Sequence, residues 1–194
     1  MQAENRLIKP PRLRKGDTVA AISLSWGGAS VFPHRYETGK TQLEDGFGLY
    51  VIETPNALKP ASVLAENPLL RAQDFMWAFE NPDVKAVISI IGGDDSLRVL
   101  EHLDFSVIAA NPKIHMGYSD TTATHFACLK AGISSIYGPT FMAGFGENGG
   151  LFDYMRDSVE KTLFRAEVVG SIAPNTKGWT DDSSLSWAKP ENQD

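Results

Sequence analysis

A serine, Ser119, lies where an apolar stretch of the sequence meets a segment with helical character. The stretch KIHMG ends at Gly117, and helix-forming residues begin at Thr121. A sharp turn from a strand into a helix exposes the turn side chain near the positive end of the helix dipole, which suits a nucleophile. The N–H of Asp120 would then help to stabilise an oxyanion. Alternatively, Ser-Asp-Thr-Thr is an ordinary helix-capping string with Asp120 as the N-cap, and GYSD lacks the second glycine of the G-x-S-x-G elbow.

A second turn of the same kind follows the most apolar run of the chain, residues 84–91. Its sequence is GGDDS, and paired glycines let the backbone approach a ligand and present N–H groups to a developing negative charge. We therefore predict Gly92 and Gly93 as oxyanion donors. A tight turn capped by Asp94 or Asp95 is the alternative. The two carboxylates also suggest magnesium, but no phosphate-binding G-x-x-x-x-G-K-[ST] accompanies them, so we expect no metal.

Serine needs a base to take its proton, and the sequence offers no obvious one. His125 would lie about one and a half helical turns beyond Ser119, too far along the helix axis for a hydrogen bond. We interpret the four histidines and the single cysteine, Cys128, as structural residues. The string GFGENGG matches the dinucleotide-binding fingerprint, but no convincing strand precedes it, so we expect no nicotinamide or flavin cofactor.

Apolar and helical stretches alternate along the chain, and this order predicts the frame that positions both turns. We predict strands at 18–25, 50–53, 84–91, 113–117, 134–138 and 167–171, and helices at 34–47, 67–81, 95–100, 121–130 and 151–164. The alternation favours an α/β fold with an open, mostly parallel sheet and helices on both faces. Ligands bind such sheets beyond the carboxyl ends of the strands. We assign residues 1–172 to this nucleophile-bearing domain and 173–194 to a polar loop or linker.

The charge and hydropathy patterns exclude several classes of protein. The chain has 194 residues and a formal net charge of −6, and it shows no basic stripe of the kind that nucleic-acid-binding surfaces carry. No apolar stretch approaches the roughly 18 to 20 residues of a membrane span, and the N-terminal sequence lacks the apolar core of a signal peptide. We therefore expect a cytoplasmic protein that binds neither nucleic acid nor membrane, and the single cysteine agrees with a reducing compartment.

The motifs taken together resemble one known family. KGDTVAAIS, VKAVISIIGGDDS, NPKIHMGYSDTT and IYGP occur in the order found in the LD-carboxypeptidase family of serine peptidases. The resemblance covers residues 13–187. The form GGDDS, with the closing KTLF and WT, is most similar to the branch of the family that gives immunity to microcin C. The resemblance implies a two-domain hydrolase with a Ser-Glu-His triad.

The resemblance also implies roles for particular residues. Ser119 would be the nucleophile, and the backbone amides of Gly92, Gly93 and Asp120 would be the oxyanion donors. The Glu and His of the triad would lie in a C-terminal domain absent from this chain, so we expect the chain to be inactive by itself. The immunity branch cleaves the amide-like bond between an aminoacyl or peptidyl group and a modified adenylate. The alternatives are a murein tetrapeptide LD-carboxypeptidase and a non-catalytic α/β binding domain.

Substrate contacts are predicted at five further residues. Ser25, Trp26 and Asp94 follow strands whose ends should meet at the site. Trp179 and Trp187 lie in polar sequence without an obvious core to fill, where a tryptophan could stack on adenine or pack against a second domain. We expect the ligand to be a small peptidyl or aminoacyl nucleotide. Surface left bare by a missing domain would favour association, so a homodimer is a further expectation.

Overall fold

A single parallel sheet organises the part of the chain that the structure describes. The computed structural model describes residues 7–178 and 189, and within them five strands form this sheet. They are β1 (Thr18–Ile22), β2 (Tyr50–Glu53), β3 (Val84–Ser89), β4 (Ile114–Gly117) and β5 (Ile136–Tyr137). Their order is β2-β1-β3-β4-β5, and every neighbouring pair is parallel. The predicted α/β fold with an open parallel sheet is confirmed.

Helices cover both faces of this sheet. They are α1 (Pro33–Phe47), α2 (Ala61–Glu66), α3 (Pro68–Glu80), α4 (Phe105–Ala110), α5 (Thr122–Lys130) and α6 (Asp153–Val159), which continues into a π-helical turn, Glu160–Phe164. Side chains of α1 and α6 contribute to the core on one face, and those of α3, α4 and α5 to the core on the other. None of the helices in the described part of the chain is long and apolar enough to cross a lipid bilayer.

The central strands are apolar at successive positions because both of their faces are covered. Val19 and Ala21 of β1 join the core beneath α1, whereas Ala20 and Ile22 join the core beneath α3. All four side chains are inaccessible to solvent. A parallel strand between two helical layers has few positions for polar side chains, which explains the long apolar runs in the sequence.

The strand predicted at residues 167–171 is wrong. The structure gives these residues no regular secondary structure, and Val168 is 92% exposed. β-Branched residues favour a strand only when a neighbouring strand pairs with them, and no such pairing is found for this segment in the described residues.

Two short helices, α2 and α4, were not predicted. The N-terminus of α4 nevertheless has a clear sequence signal, because the Asp104 carboxylate accepts hydrogen bonds from the N–H groups of Ser106 and Val107. Aspartate is a preferred N-cap residue, so the pattern Asp-Phe-Ser-Val was sufficient to indicate this helix. The helix predicted at 95–100 is a 3₁₀-helix, Ser96–His102.

Candidate active site

Ser119 occupies a strained turn at the carboxyl end of β4. Among residues 7–178 it is the one non-glycine residue with a positive φ, 62°. Side-chain-bearing residues adopt this left-handed conformation rarely, and such strain is concentrated at functional sites. A 3₁₀ turn, Ser119–Thr121, leads directly into α5, and the Ser119 residue is exposed. The strand-turn-helix geometry expected from the sequence is therefore present.

Asp120 does not cap the helix that follows it, so that alternative was wrong. Its carboxylate accepts a hydrogen bond from the N–H of Ser96 at 2.8 Å, and its carbonyl oxygen accepts one from the Ser96 hydroxyl at 2.5 Å. The Ser96 N–H is available because it lies at the start of a 3₁₀-helix, where backbone donors have no partner within the helix. Asp120 thus ties the elbow to the GGDDS turn.

Gly92 and Gly93 both lie close to their neighbours: a side chain at Gly92 would be tightly packed, and Gly93 has no room for one. A Cβ added to Gly92 would lie 3.1 Å from Ser119 Oγ and 3.5 Å from the backbone nitrogen of Asp120. A Cβ added to Gly93 would lie 2.1 Å from Ser25 Oγ. The first glycine therefore faces the same space as the serine hydroxyl and the Asp120 amide, which is where an oxyanion hole must be built.

Residues that follow β1 form hydrogen bonds with the GGDDS turn. The buried hydroxyl of Ser25 accepts a hydrogen bond from the N–H of Asp94 at 3.0 Å, and the N–H of Trp26 donates to the carbonyl oxygen of Gly92 at 3.2 Å. These two bonds connect residues that are almost seventy positions apart in sequence. We therefore assign Ser25 to the support of the turn.

An open cleft of about 370 Å³ lies over the two turns. Its walls are formed by residues at the carboxyl ends of three strands, namely Trp26, Ile91, Gly92, Gly93, Asp94, Tyr118 and Ser119. Trp26 is 36% exposed and packs edge-on against Phe32, with ring centroids 6.0 Å apart. The structure thus brings Trp26, Asp94 and Ser119 to one cleft. Trp179 and Trp187 lie outside the described residues.

The two aspartates of GGDDS have different environments. Asp94 is exposed at the cleft, whereas Asp95 receives two hydrogen bonds, at 2.7 and 2.9 Å, from the fully buried guanidinium of Arg71. Arg71 also donates to the carbonyl oxygen of Leu24 at 3.0 Å, so it links α3 to the ends of β1 and β3. Sequence reasoning missed Arg71. The available signal was a charged residue within the apolar stripe of a predicted helix.

A general base for Ser119 is not found in the described part of the chain. Within residues 7–178, no hydrogen bond joins Ser119 Oγ to a histidine or a carboxylate. His125 instead contacts the carbonyl oxygen of Gly117 through Nε2 at 3.0 Å, and His115 Nε2 contacts the Thr124 hydroxyl at 2.8 Å. These two histidines have structural partners, as predicted. No group of three or more His, Cys, Asp or Glu side chains in the described ranges is arranged to hold a metal ion.

His115, which is buried, and His125, which is half-buried, predict how stability depends on pH. Burial lowers the pKa of His115 to about 3 and also lowers the pKa of His125. In the unfolded chain a histidine titrates near pH 6.5, so below that pH the unfolded state binds more protons than the folded state. The free energy of unfolding should therefore fall as the pH is lowered through about 6.5, by about 1.4 kcal/mol between pH 7.5 and pH 5.5 for His115 alone.

Urea unfolding at these two pH values measures this difference. The variant His115→Asn should lose the part of the pH dependence that His115 contributes, whatever its absolute stability. Equal unfolding free energies for the unmodified chain at pH 7.5 and pH 5.5 would contradict the prediction.

The family profile of the LD-carboxypeptidase N-terminal domain matches residues 19–138. This chain belongs to the LD-carboxypeptidase family. The matched residues include the GGDDS turn and the elbow at Ser119, so both turns of the cleft lie inside the family domain. The resemblance inferred from the motifs is thereby confirmed.

Curated relatives include proteins of both activities that the motifs suggested. The microcin C7 self-immunity protein MccF of Escherichia coli is 40% identical over 118 residues, which are 60% of this chain and 34% of MccF. A probable murein peptide carboxypeptidase of Bacillus subtilis is 35% identical over 140 residues, 71% of this chain and 42% of that protein. The chain therefore spans about a third to two fifths of the length of these relatives.

Solved structures of MccF share this LD-carboxypeptidase fold. MccF in complex with aspartyl sulfamoyl adenosine aligns with a TM-score of 0.75 and 32% identity, over 83% of this chain and 48% of MccF. MccF has also been solved with glutamyl sulfamoyl guanosine, and as an active-site variant in which a serine, an asparagine and a lysine are replaced by alanine. These ligands are aminoacyl groups joined through a sulfamoyl linker to a nucleoside.

Proposed function

We propose that this protein is a serine hydrolase of the microcin-immunity type. It would cleave the amide-like bond between an aminoacyl or peptidyl group and a modified adenylate. The observation that carries the proposal is the placement of Ser119, an exposed hydroxyl on a strained elbow that faces Gly92 and the Asp120 amide across one cleft. Membership of the LD-carboxypeptidase family supports a hydrolytic role for a serine in this position.

The first chemical step would be attack of Ser119 Oγ on the carbonyl carbon of the aminoacyl group. The Oγ–C bond forms, the serine proton passes to a general base, and the carbonyl oxygen becomes an oxyanion. We assign the backbone amides of Gly92, Gly93 and Asp120 as the donors to this oxyanion, because Gly92 faces both the serine hydroxyl and the Asp120 amide and Gly93 follows it in the same turn. Each such donor contributes about a hundredfold or more to the rate in hydrolases of this kind.

Collapse of the tetrahedral intermediate would break the bond between the carbonyl carbon and the nitrogen of the sulfamoyl group. The leaving nitrogen takes up the proton that the base holds, and the acyl group remains on Ser119. A water molecule then attacks the ester, again with help from the base, and the amino acid leaves with a regenerated serine. The left-handed backbone conformation at Ser119 places this residue at the cleft for both steps.

The general base is the component that the described residues do not supply. MccF and the murein carboxypeptidase are more than twice as long as the part that this chain matches. We infer that the glutamate and histidine of the triad come from a part of the protein that corresponds to the remaining length of these relatives. Residues 1–172 would then bring the nucleophile and the oxyanion donors, and 173–194 would lead toward that second part.

Asp94 supports an aminoacyl or peptidyl nucleotide as the substrate. Its carboxylate is exposed at the cleft beside the oxyanion turn, where its negative charge would attract the α-ammonium of an aminoacyl group. Trp26, also at the cleft, offers an apolar wall. Stacking of adenine on Trp179 or Trp187 stays a prediction, as does a homodimer.

Incubation of the whole protein, which includes the part inferred to supply the glutamate and the histidine, with glutamyl sulfamoyl adenosine tests this function. The expected result is release of the free amino acid, measured by chromatography. In a separate experiment, a fluorophosphonate probe should form a single covalent adduct on Ser119. Intact mass and peptide mapping identify the modified residue.

The outcomes separate the alternatives that the sequence left open. Hydrolysis of a murein tetrapeptide at its L,D bond, with no release from the nucleotide, would favour the murein carboxypeptidase. Tight binding of the nucleotide without adduct or turnover would overturn the hydrolase and favour a binding domain.

A further inference from the structure

The backbone N–H of Ser119 has a specific side-chain partner. It donates a hydrogen bond to the hydroxyl oxygen of Tyr137 at 3.1 Å. Tyr137 is the last residue of β5 and lies in register with Gly117 on the neighbouring strand. Ser119 is two residues after Gly117, so the Tyr137 side chain can reach the elbow from the neighbouring strand.

The ends of β4 and β5 are held together beneath this contact. The carbonyl oxygen of Gly117 accepts hydrogen bonds from the N–H of Gly138 at 3.0 Å and from His125 Nε2 at 3.0 Å. Because a carbonyl oxygen can only accept, Nε2 carries the proton, and His125 Nδ1 is left to accept from the Ser135 hydroxyl at 2.8 Å. The imidazole thus spans from the end of β4 to the residue before β5.

Aromatic packing completes the support of the Tyr137 ring. Its centroid lies 5.9 Å from the His125 ring and 6.2 Å from the Tyr118 ring, which packs nearly edge-on. Although the Tyr137 residue is 65% exposed, its ring is held between two neighbours and its hydroxyl is directed to Ser119. Such a ring can fix the position of a backbone group.

We propose that Tyr137 is a positioning residue for the nucleophile, a role that rests on the proposed hydrolase function. Ser119 needs an external restraint because its left-handed conformation is unfavourable for a residue with a side chain. By accepting the Ser119 N–H, the Tyr137 hydroxyl supplies that restraint. Because the Ser119 N–H is bound to the Tyr137 hydroxyl, it is not available to the oxyanion. The N–H of the next residue, Asp120, is available.

The variant Tyr137→Phe in the intact protein tests this role, because it removes one oxygen and leaves the ring. We expect kcat for hydrolysis of glutamyl sulfamoyl adenosine to fall about tenfold, the effect of losing one well-placed hydrogen bond. KM should change less than twofold. The rate constant for labelling of Ser119 by a fluorophosphonate should fall in parallel with kcat, which a change in overall stability alone would not produce.

Tyr50→Phe is the matched control. Tyr50 is also 65% exposed, lies on β2 away from the cleft, and has no hydrogen bond to its hydroxyl in the described part of the chain. The Tyr50→Phe variant should keep the kcat of the unmodified protein. A second variant, Ser135→Ala, removes the partner of His125 Nδ1 without altering Tyr137, and it should lower kcat in the same direction by a smaller factor.

The results distinguish this proposal from the function on which it rests. If Ser119→Ala is inactive while Tyr137→Phe and Ser135→Ala both keep kcat within twofold, the positioning role is wrong and the hydrolase function stands. If Ser119→Ala retains turnover, the proposed function itself fails. Should Tyr137→Phe not fold, the Ser135→Ala variant tests the positioning role: a lowered kcat supports it, and a kcat equal to that of the unmodified protein overturns it.

Discussion

Replacement of Ser119 by alanine is expected to lower kcat of the intact protein for an aminoacyl sulfamoyl adenosine by about 10⁴-fold or more. Loss of the nucleophile in a serine hydrolase leaves only the contributions of the oxyanion hole and of substrate binding. Affinity for the nucleotide should stay within a fewfold, since the alanine variant keeps the walls of the cleft. Turnover measured by chromatography and binding measured by calorimetry test the two parts separately.

The control for this variant is Ser158→Ala, at an exposed position on α6. It should have the activity of the unmodified protein. A Ser119→Ala variant that retains even a tenth of the original kcat would show that another group is the nucleophile.

The backbone at Ser119 adds a second expectation for the same site. At φ 62° alanine has the steric penalty of a Cβ and glycine does not. The Ser119→Gly variant should therefore be more stable to urea than Ser119→Ala, by about 1 kcal/mol, although both are inactive. Equal stability of the two variants would mean that the elbow relaxes when the serine is removed.

Replacement of Arg71 by methionine is expected to produce the largest loss of stability among substitutions near the cleft, about 3 kcal/mol. The Arg71 side chain is fully buried and makes a bidentate pair with Asp95, whose side chain is 25% exposed. Methionine fills most of the volume but leaves the Asp95 carboxylate and the Leu24 carbonyl oxygen without this donor. Removing one partner of a buried pair typically costs about 3 to 5 kcal/mol, and the partial exposure of Asp95 favours the lower end.

Arg98→Met provides the comparison, because Arg98 pairs with the same carboxylate. Its side chain is 52% exposed and its contact with Asp95 Oδ2 is longer, 3.3 Å. Exposed ion pairs contribute at most about 1 kcal/mol, so this variant should remain close to the unmodified protein in urea unfolding. If the two variants lose the same free energy, the buried pair does not anchor the GGDDS turn.

Most of the frame of the site was predictable from local sequence. The apolar runs at β1, β3 and β4, each followed by glycine or serine and then by a helical pattern, indicated parallel strands whose carboxyl ends meet at one edge. From this, Gly92, Gly93 and Ser119 could be grouped before any contact was known. Family membership agrees with that grouping, and their catalytic roles stay predictions.

The contacts that hold the turns in place were not predictable from local sequence. Asp120 looked like a helix cap, yet its carboxylate binds the N–H of Ser96, which is 24 positions earlier. Arg71 and Asp95 are also 24 positions apart, and the Tyr137 hydroxyl meets the N–H of Ser119 across 18 positions. A capping motif in the sequence points only to the helix that follows it, whereas in the fold the Asp120 carboxylate binds a free N–H at the start of a different helix.

The sequence by itself determined the alternation of the five strands with the longer helices, the apolar faces between them, and the short list of residues that could be a nucleophile or an oxyanion donor. These depend on periodicity and on the few residue types that tolerate sharp turns. Only the tertiary structure decided that Ser119 is strained, that Gly92 faces its hydroxyl, and that Arg71 and Tyr137 form hydrogen bonds with the two turns. Such contacts depend on strand register and on the direction of each side chain, which distant segments set jointly when the sheet assembles.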